Sequence, residues 1–479
     1  MMKNKMNYLG CSRINLYTTA FLFTCLFGFG SLQAQNYTVD DAWKDAQIYK
    51  LADKSAVAQQ RTEWYRNARL GLFIHWNPSS VCGTEISWSK QFYKDTGERL
   101  EPNPRPNLSD ARQHEHTEWL SWFKPAIPAS VYDNLYKSFY PGMFNADSIV
   151  NTAIKAGLKY IIMVAKHHDG FCMWNTRYTD FNIMSTPFHR DILGEMADAC
   201  HRHHIKFGIY YSQRDWHHPM YSSATIKQYN EYMRNQIREI LTKYKPISEI
   251  FFDAGEWSKS DSLLWEPEKM FKEIYALQPD IIINDRCGPV ADYSTPEQNI
   301  GTIDMERTWE SNMTFTGYWS WRGFSFPVIS AEEYFRYVVS CAGGNGNLLM
   351  NVGIMPTGQI DPREQDRLLT VGKWLDTYGE AVYSTHGGPF RPCKMGISTR
   401  KGNNIYVIIF DWNAFNGTLP LESKLVKSVA VLGGSPLNFQ RFKDAIRIDT
   451  SNITKSCFTV MQITLKKDAG KLPLRDFIQ

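Results

Sequence analysis

The chain has almost no net charge. Its 53 lysines and arginines face 49 aspartates and glutamates, a balance of +4, and no run of five or six like charges occurs. No electrostatic footprint for nucleic acid or an acidic membrane surface is present. Metal-binding patterns are also missing: there is no C-x-x-C and no H-E-x-x-H, which removes the zinc-ribbon and zincin readings. Nine cysteines in 479 residues are too scattered for a dense disulfide framework, although an oxidising compartment could join one or two pairs among Cys82, Cys172, Cys200, Cys287, Cys341, Cys393 and Cys457. Internal repeats and low-complexity tracts are absent. The proline-rich stretch 102–106 reads as an insertion between larger elements.

Long apolar runs are limited to one, at the start. Lys3, Lys5 and Arg13 form a basic region, 17–29 is apolar, and the small Ala34 precedes Gln35, the layout of a secretory signal peptide over 1–34. The run is too short and too briefly flanked for a spanning helix. The sequence therefore predicts an exported protein, periplasmic or secreted, with no membrane span once the signal is removed.

What the chain has in excess is aromatic. Fifteen Trp, 25 Tyr and 27 Phe exceed what a core needs, and such rings also wall concave ligand pockets. Between about 51 and 385, short apolar runs at 70–76, 159–169, 206–211, 249–253 and 280–286 alternate with helical patterns at 143–156, 192–203, 226–244 and 263–277. Continuous apolar strands separated by amphipathic helices are the pattern of a parallel sheet buried on both faces. With a sixth strand at 347–351 and two weaker ones expected between Asp304 and Val339, the reading is a (β/α)8-like barrel over 35–386. Beyond 387 short alternating segments without helices predict a small antiparallel β-sandwich to 479.

In such a barrel the C-terminal strand ends face the active site, so the residues there carry the chemical argument. Asp253 follows Ile250, Phe251 and Phe252, a rigid apolar floor suited to a fixed nucleophile; capping of the next turn is the competing role. Glu256 and Trp257 beside it favour a sugar site. His167 and His168 end a strand before Asp169 and Gly170. Adjacent side chains on a strand point to opposite faces, so both can reach one ligand only where the chain bends. A metal pair and a solvated pair are the alternatives; neutral imidazoles suit vicinal hydroxyls. His201, His203 and His204 lie at a helix end and read as structural, whereas His217 and His218 could line the rim. A retaining glycosidase needs a nucleophile and a protonated carboxyl about 5–5.5 Å apart, the acid held in apolar surroundings. Glu310, beside Trp309 and near Phe315, Tyr318, Trp319 and Trp321, is preferred for the acid over Glu306. Arg286 is a fixed donor to a hydroxyl or to the acid, or else an ion-pair partner of Asp285 or Asp304.

Taken together, ordered motifs resemble the retaining α-L-fucosidases of glycoside hydrolase family 29. They are Leu72 to Trp76 with His75; Lys166, His167, His168, Asp169, Gly170 and Phe171, with Trp174 and Thr179 to Asn182 behind; Phe207 to Ser212 with Asp215 and Trp216; Asn284, Asp285 and Arg286; Trp309 and Glu310; Gly343 to Gly353; and Trp374 with Tyr378 to Tyr383. The resemblance implies Asp253 as nucleophile, Glu310 as acid/base, and His75, His167, His168, Arg286 and Tyr211 at the sugar hydroxyls. It implies Trp321, or else Trp319, against the C6 methyl, Glu85 as a further sugar ligand, and no metal or organic cofactor. The implied substrate is a terminal α-L-fucosyl residue of a glycan. An L-galactoside hydrolase and a non-catalytic carbohydrate-binding protein are the alternatives. The chain departs from the family pattern at Asn77, Ala254, Cys287 and 318–321.

Overall fold

The computed structural model describes residues 56–91, 127–221, 225–253, 265–287 and 291–477. The expected signal segment 1–34, the stretch 102–106, and Ala254, Glu256 and Trp257 lie outside these. Seven strands form one all-parallel sheet: β1 (Leu70–His75), β2 (Tyr160–Lys166), β3 (Lys206–Tyr211), β4 (Glu249–Phe252), β5 (Ile282–Ile283), β6 (Glu310–Thr314) and β7 (Asn347–Gly353). Their order is β5-β4-β3-β2-β1-β7-β6. The gap between β5 and β6 is closed by 293–297, which bridges Asn284 through Tyr293 on one side, and Trp309 and Asn312 through Ser294 and Glu297 on the other. This irregular segment takes the eighth position of the barrel. The sequence expectation of two weak strands after Asp304 is thus met by β6 alone, its companion lying earlier in the chain.

Helices α1 (Ala56–Ala68), α2 (Ala146–Lys155), α3 (Ile192–Arg202), α4 (Ile226–Lys243), α5 (Pro267–Leu277), α6 (Ala331–Gly343) and α7 (Pro362–Tyr378) accompany the sheet. Their starts are written in the sequence. Asn145, Asp191 and Ser330 accept hydrogen bonds from first-turn amides, and Asp361 caps a helix whose first residue is Pro362, as N-cap chemistry requires. Gly157 takes φ +80° just beyond α2, a conformation that stops the helix. Among the described residues no helix is long and apolar enough to cross a membrane.

Strand alternation sorts the core in two. Leu72, Ile74, Ile161, Met163, Ile209, Tyr211, Ile250, Phe252, Met350 and Val352 point outward to the helices. Phe73, Tyr160, Ile162, Val164, Tyr210, Phe251, Ile282, Tyr293 and Leu349 fill the barrel, and Tyr65 of α1 plugs its lower mouth. The interior is layered. Tyr65 lies 5.6 Å from Tyr160 and 4.9 Å from Tyr293 by ring centroid; above them Phe73 lies 5.2 Å from Phe251 and 5.9 Å from Tyr210.

The chain then forms two antiparallel sheets, from β8 (His386–Gly387), β9 (Gly396–Lys401), β10 (Asn404–Ile409), β11 (Thr418–Leu419), β12 (Val426–Val431), β13 (Phe439–Arg441), β14 (Ile446–Ile448) and β15 (Val460–Leu465). One has order β8-β9-β10-β15-β12 and the other β11-β14-β13. A separate core including Ile405, Val407, Val429, Ile446 and Ile463 lies between them. The other face of the larger sheet packs on α6 and α7, where Trp374 Nε1 donates to the Phe458 carbonyl at 2.8 Å. A parallel barrel followed by a β-sandwich is the expected fold. All seven described cysteines are free thiols, so the pairing that an oxidising compartment would permit does not occur among them.

Glu310 is the first residue of β6 and lies at the lower, N-terminal end of the barrel. It is fully buried, hydrogen-bonded to the Tyr160 hydroxyl, and close enough to Glu249, the first residue of β4, for each to bear on the other's ionisation. Burial holds both carboxyls well above the ordinary range, and mutual repulsion adds to it at Glu249. Because the folded state retains these protons longer than the unfolded chain, the stability these two carboxyls contribute falls as pH rises from about 4.3 through neutrality. Glu310→Gln has no such proton to lose. From pH 5 to pH 8 the Tm of Glu310→Gln should therefore rise relative to that of the parent chain; a difference that does not change with pH would contradict this account.

Candidate active site

The upper mouth of the barrel is built around Asp253, one residue beyond β4. Its backbone is anchored by Asn284, which accepts from Phe252 N and donates to Phe252 O, each at 2.9 Å. One carboxylate oxygen accepts from the Tyr210 hydroxyl at 2.8 Å and the other from Arg286 Nη1 at 3.1 Å. His168 Nε2 lies 3.7 Å from the first of these oxygens. Arg286 is fixed from behind: Nε donates to Thr295 Oγ1 at 2.8 Å and Nη2 to the Thr295 carbonyl at 3.1 Å. Its Nη2 also pairs with Glu297 Oε2 at 2.8 Å. Although burial works against the charge, Glu297, Asp253 and Asp285 hold the Arg286 pKa above its ordinary value.

Glu297 was not singled out from sequence. It stands at the upper end of the irregular eighth strand, in step with Tyr293 in the barrel interior and Thr295 on Arg286, so alternation turns it inward. Glu310 and Glu306, the sequence choices, are elsewhere. Glu310 sits beside Glu249, and Asp253 stands four residues further along that strand, about 13 Å at the usual rise. That exceeds the about 5–5.5 Å of a retaining pair. Glu306 is exposed on a turn capped by Asp304, and Asp304 N bonds the Gly344 carbonyl below the start of β7. Asp304 pairs with Arg307 and not with Arg286.

Both histidines reach the mouth because β2 carries the bend that the sequence argument required. The register against β3 slips between Val164 and Lys166, so Ala165 and Lys166 both leave the interior, as at a β-bulge. His167 then stacks on Tyr210, centroids 5.2 Å apart and planes 7° from parallel. The ring centroids of His167 and His168 lie 4.2 Å apart. Lys166 is buried outside the barrel against Asp215 at 3.1 Å and Tyr229 at 3.0 Å. Ser87 Oγ accepts from Asp169 N at 2.8 Å and lies 2.6 Å from His167 Nδ1. Burial, then the neighbouring His75 and Arg214, keep this imidazole neutral by pushing its pKa well down. His168 Nδ1 meets Ser212 Oγ at 2.6 Å.

His167, His168 and Asp253 place one ligand-type atom each within 4.8 Å of the others, a geometry that could grip a metal ion. Asp253 already shares its oxygens with Arg286 and Tyr210, an arrangement better matched to hydroxyl groups and a carbon electrophile. His75 faces the same space from β1, its ring 5.8 Å from His167 and 5.5 Å from Tyr210.

Matched against fucosidase sequences and structures, this architecture is not isolated. A family model described as alpha-L-fucosidase matches residues 37–380. The chain belongs to the α-L-fucosidase family. A putative α-L-fucosidase of Caenorhabditis elegans is 29% identical over 345 residues, 67% of this chain and 66% of that one. The solved α-L-fucosidase isoenzyme 1 of Paenibacillus thiaminolyticus is 27% identical with a TM-score of 0.73, over 86% of this chain and 100% of that one. A Bacteroides thetaiotaomicron α-L-fucosidase trapped as a covalent intermediate shares the fold, with a TM-score of 0.72 and 23% identity over 88% and 99% of the two chains.

Within this fucosidase scaffold, several aromatic assignments change. Tyr211 turns outward, its hydroxyl on Gln236 Oε1 at 2.6 Å, and Tyr210 takes the place expected of it. Trp76 packs outside the barrel on Phe139 and Phe144, and Trp309 lies at the lower end, where a Cβ on Gly346 would come within 2.3 Å of it. Trp321 donates its indole N–H to Asp361 at 3.1 Å; the indole over His75, 4.9 Å away, is Trp319. Trp88 and Trp216, 5.3 and 5.4 Å from the His168 ring, form a second wall. His217 stacks on Phe181 and His218 lies against Tyr232, away from Asp253. His201 bonds the Pro246 carbonyl and His203 pairs with Asp147. Glu85 is buried, with Oε1 accepting from Trp319 N at 2.9 Å and Ser320 N at 3.2 Å and Oε2 without a partner. Burial, only partly offset by those two amides, pushes it up to about 8.

The strand-face assignment is testable. Tyr210→Phe removes a hydrogen bond to an ionised group, about 1.5–3 kcal/mol, and should lower kcat/KM on 4-nitrophenyl α-L-fucoside about 10- to 100-fold. Tyr211→Phe breaks the Gln236 contact behind the sheet and should lower Tm while leaving kcat/KM within about threefold. The opposite ranking of the two variants would refute the assignment.

Proposed function

We propose that the chain is an exported retaining exo-α-L-fucosidase in which Asp253 is the nucleophile and Glu297 the general acid/base. The observation that carries this reading is the Arg286 guanidinium lying between the two carboxylates, Nη1 on Asp253 and Nη2 on Glu297. One planar group sets their separation on the scale of the about 5–5.5 Å of a retaining pair, below the about 6.5–9.5 Å that leaves room for an inverting water. Export rests on the character of 1–34.

In the first step the Asp253 carboxylate attacks the anomeric carbon while a protonated Glu297 gives its proton to the leaving oxygen, which departs with the bonding electrons. The environments suit the two roles. Asp253 has hydrogen-bond donors on both oxygens and a side chain only 18% exposed, whereas Glu297 is 42% exposed, toward the side from which leaving group and water pass. In the second step Glu297 takes a proton from water, whose oxygen displaces Asp253 from the same carbon; two inversions give net retention. His75, His167 and His168 meet the ring hydroxyls, and Glu85, buried behind Trp319, holds the loop that carries it through the amides of Trp319 and Ser320. Trp319 is the wall for the C6 methyl of a terminal fucosyl residue.

Azide rescue separates the roles. Asp253→Ala should abolish hydrolysis of 4-nitrophenyl α-L-fucoside, and azide should then yield the β-fucosyl azide, because it attacks opposite the leaving group. Glu297→Ala should retain glycosylation of a good leaving group and give the α-fucosyl azide. Rescue at Glu310 or Glu306 in place of Glu297 would overturn the acid/base assignment. A protein that binds fucose but cleaves neither the α-L-fucoside nor the α-L-galactoside would overturn the enzyme reading.

A further inference from the structure

Asn351 lies on the inner face of β7, between two features of the mouth that the sequence treats separately. Its Nδ2 donates to the Trp319 carbonyl at 2.7 Å, and its Oδ1 lies 2.6 Å from His75 Nδ1. A carbonyl oxygen can only accept, so the amide group on it must be the nitrogen and the oxygen must face His75. His75 Nδ1 therefore carries the proton, and Nε2 presents a lone pair. The groups near this imidazole are Asp253, His167 and Tyr210, with Phe73 and Trp319 as apolar neighbours. Burial outweighs the Asn351 and Asp253 contributions and pushes its pKa down to about 3, so the ring is neutral wherever the enzyme works. The loop side is equally fixed: Glu85 takes the two amides at 319 and 320, and Ile86 N donates to Ser320 Oγ at 2.9 Å.

We infer that Asn351 is a positioning residue that sets two elements of substrate selection with one amide. It holds His75 as the Nδ1–H tautomer, so that Nε2 accepts from a sugar hydroxyl, and it pins the Trp319 backbone, so that the indole abuts the C6 position. This builds on the fucosidase reading above, and its consequence is specificity: the amide links hydroxyl recognition to the preference for a C6 methyl over a hydroxymethyl group.

Asn351→Asp keeps an acceptor for His75 but loses the donor to Trp319 and stabilises the imidazolium. Below its raised pKa the imidazolium cannot accept a hydroxyl proton, so the acid limb of kcat/KM should move up by about one pH unit. On 4-nitrophenyl α-L-fucoside kcat/KM should fall about 30-fold, and the ratio of α-L-fucoside to α-L-galactoside efficiency at least about fivefold. A variant that only loses Tm, with limb and ratio unmoved, overturns the proposal. Should Asn351→Asp not fold, ring 15N shifts of His75 in the parent protein, assigned by their loss in His75→Gln, decide it: a protonated Nδ1 and bare Nε2 support the proposal, and the reverse tautomer overturns it. If the parent cleaves neither glycoside, the functional reading has failed, and the tautomer measurement still decides the role of Asn351.

Discussion

The aromatic layer of Phe73, Tyr210 and Phe251 across the middle of the barrel is the constraint on which the rest turns. It is apolar, and it separates two sets of acids. Below it, Glu249 and Glu310 are closed in with Tyr65, Tyr160 and Tyr293, retain their protons and serve packing. Above it, Asp253 stands where Tyr210 and Arg286 donate to it. The nucleophile role proposed for Asp253 needs a fixed orientation, and here the floor and the two donors supply it. Tyr210 belongs to both layers, its ring part of the floor and its hydroxyl part of the site.

The same floor explains why the mouth is so rich in neutral hydrogen-bonding groups. His75 and His167, buried on this apolar base, are costly to protonate, and they and His168 have their Nδ1 atoms tied to side-chain oxygens of Asn351, Ser87 and Ser212 respectively. An uncharged polyol with one apolar edge matches this lining better than an anion or a cation would, and the near balance of charge along the whole chain agrees.

Much of this was legible in the sequence, and the remainder was hidden for physical reasons. Parallel strands buried on both faces leave continuous apolar runs, so β1 to β4 and their strand-end groups His75, His167, His168 and Asp253 could be read directly, with Arg286 just after β5. Which face a side chain takes could not be read from a run that is apolar on both, and Tyr211 was preferred to Tyr210. β6 is buried yet polar, Glu310 to Thr314, its side chains satisfied in part by the neighbouring irregular strand through Gly301 N, Gln298 and the Pro296 carbonyl. With no apolar run to mark it, the aromatic neighbours of Glu310 in sequence do not reveal that it begins a strand at the lower end of the barrel. The eighth strand contains Pro296, which ordinarily argues against a strand, so the inward step from Tyr293 through Thr295 to Glu297 went unseen. That Trp319 rather than Trp321 lies over His75 is not legible because an irregular loop has no period from which to read direction.

Gly353, at the top of β7, lies directly beneath the loop that bears Trp319. A Cβ there would fall 2.2 Å from Trp321 N and 2.6 Å from the Ser320 carbonyl carbon, closer than any side chain can sit against backbone. Loop and strand end are therefore one module. A transplant of 315–327 into a related barrel, made to alter sugar preference, would have to carry Gly353, Asn351 and Glu85 with it, because the surface that receives the loop is as specific as the loop itself.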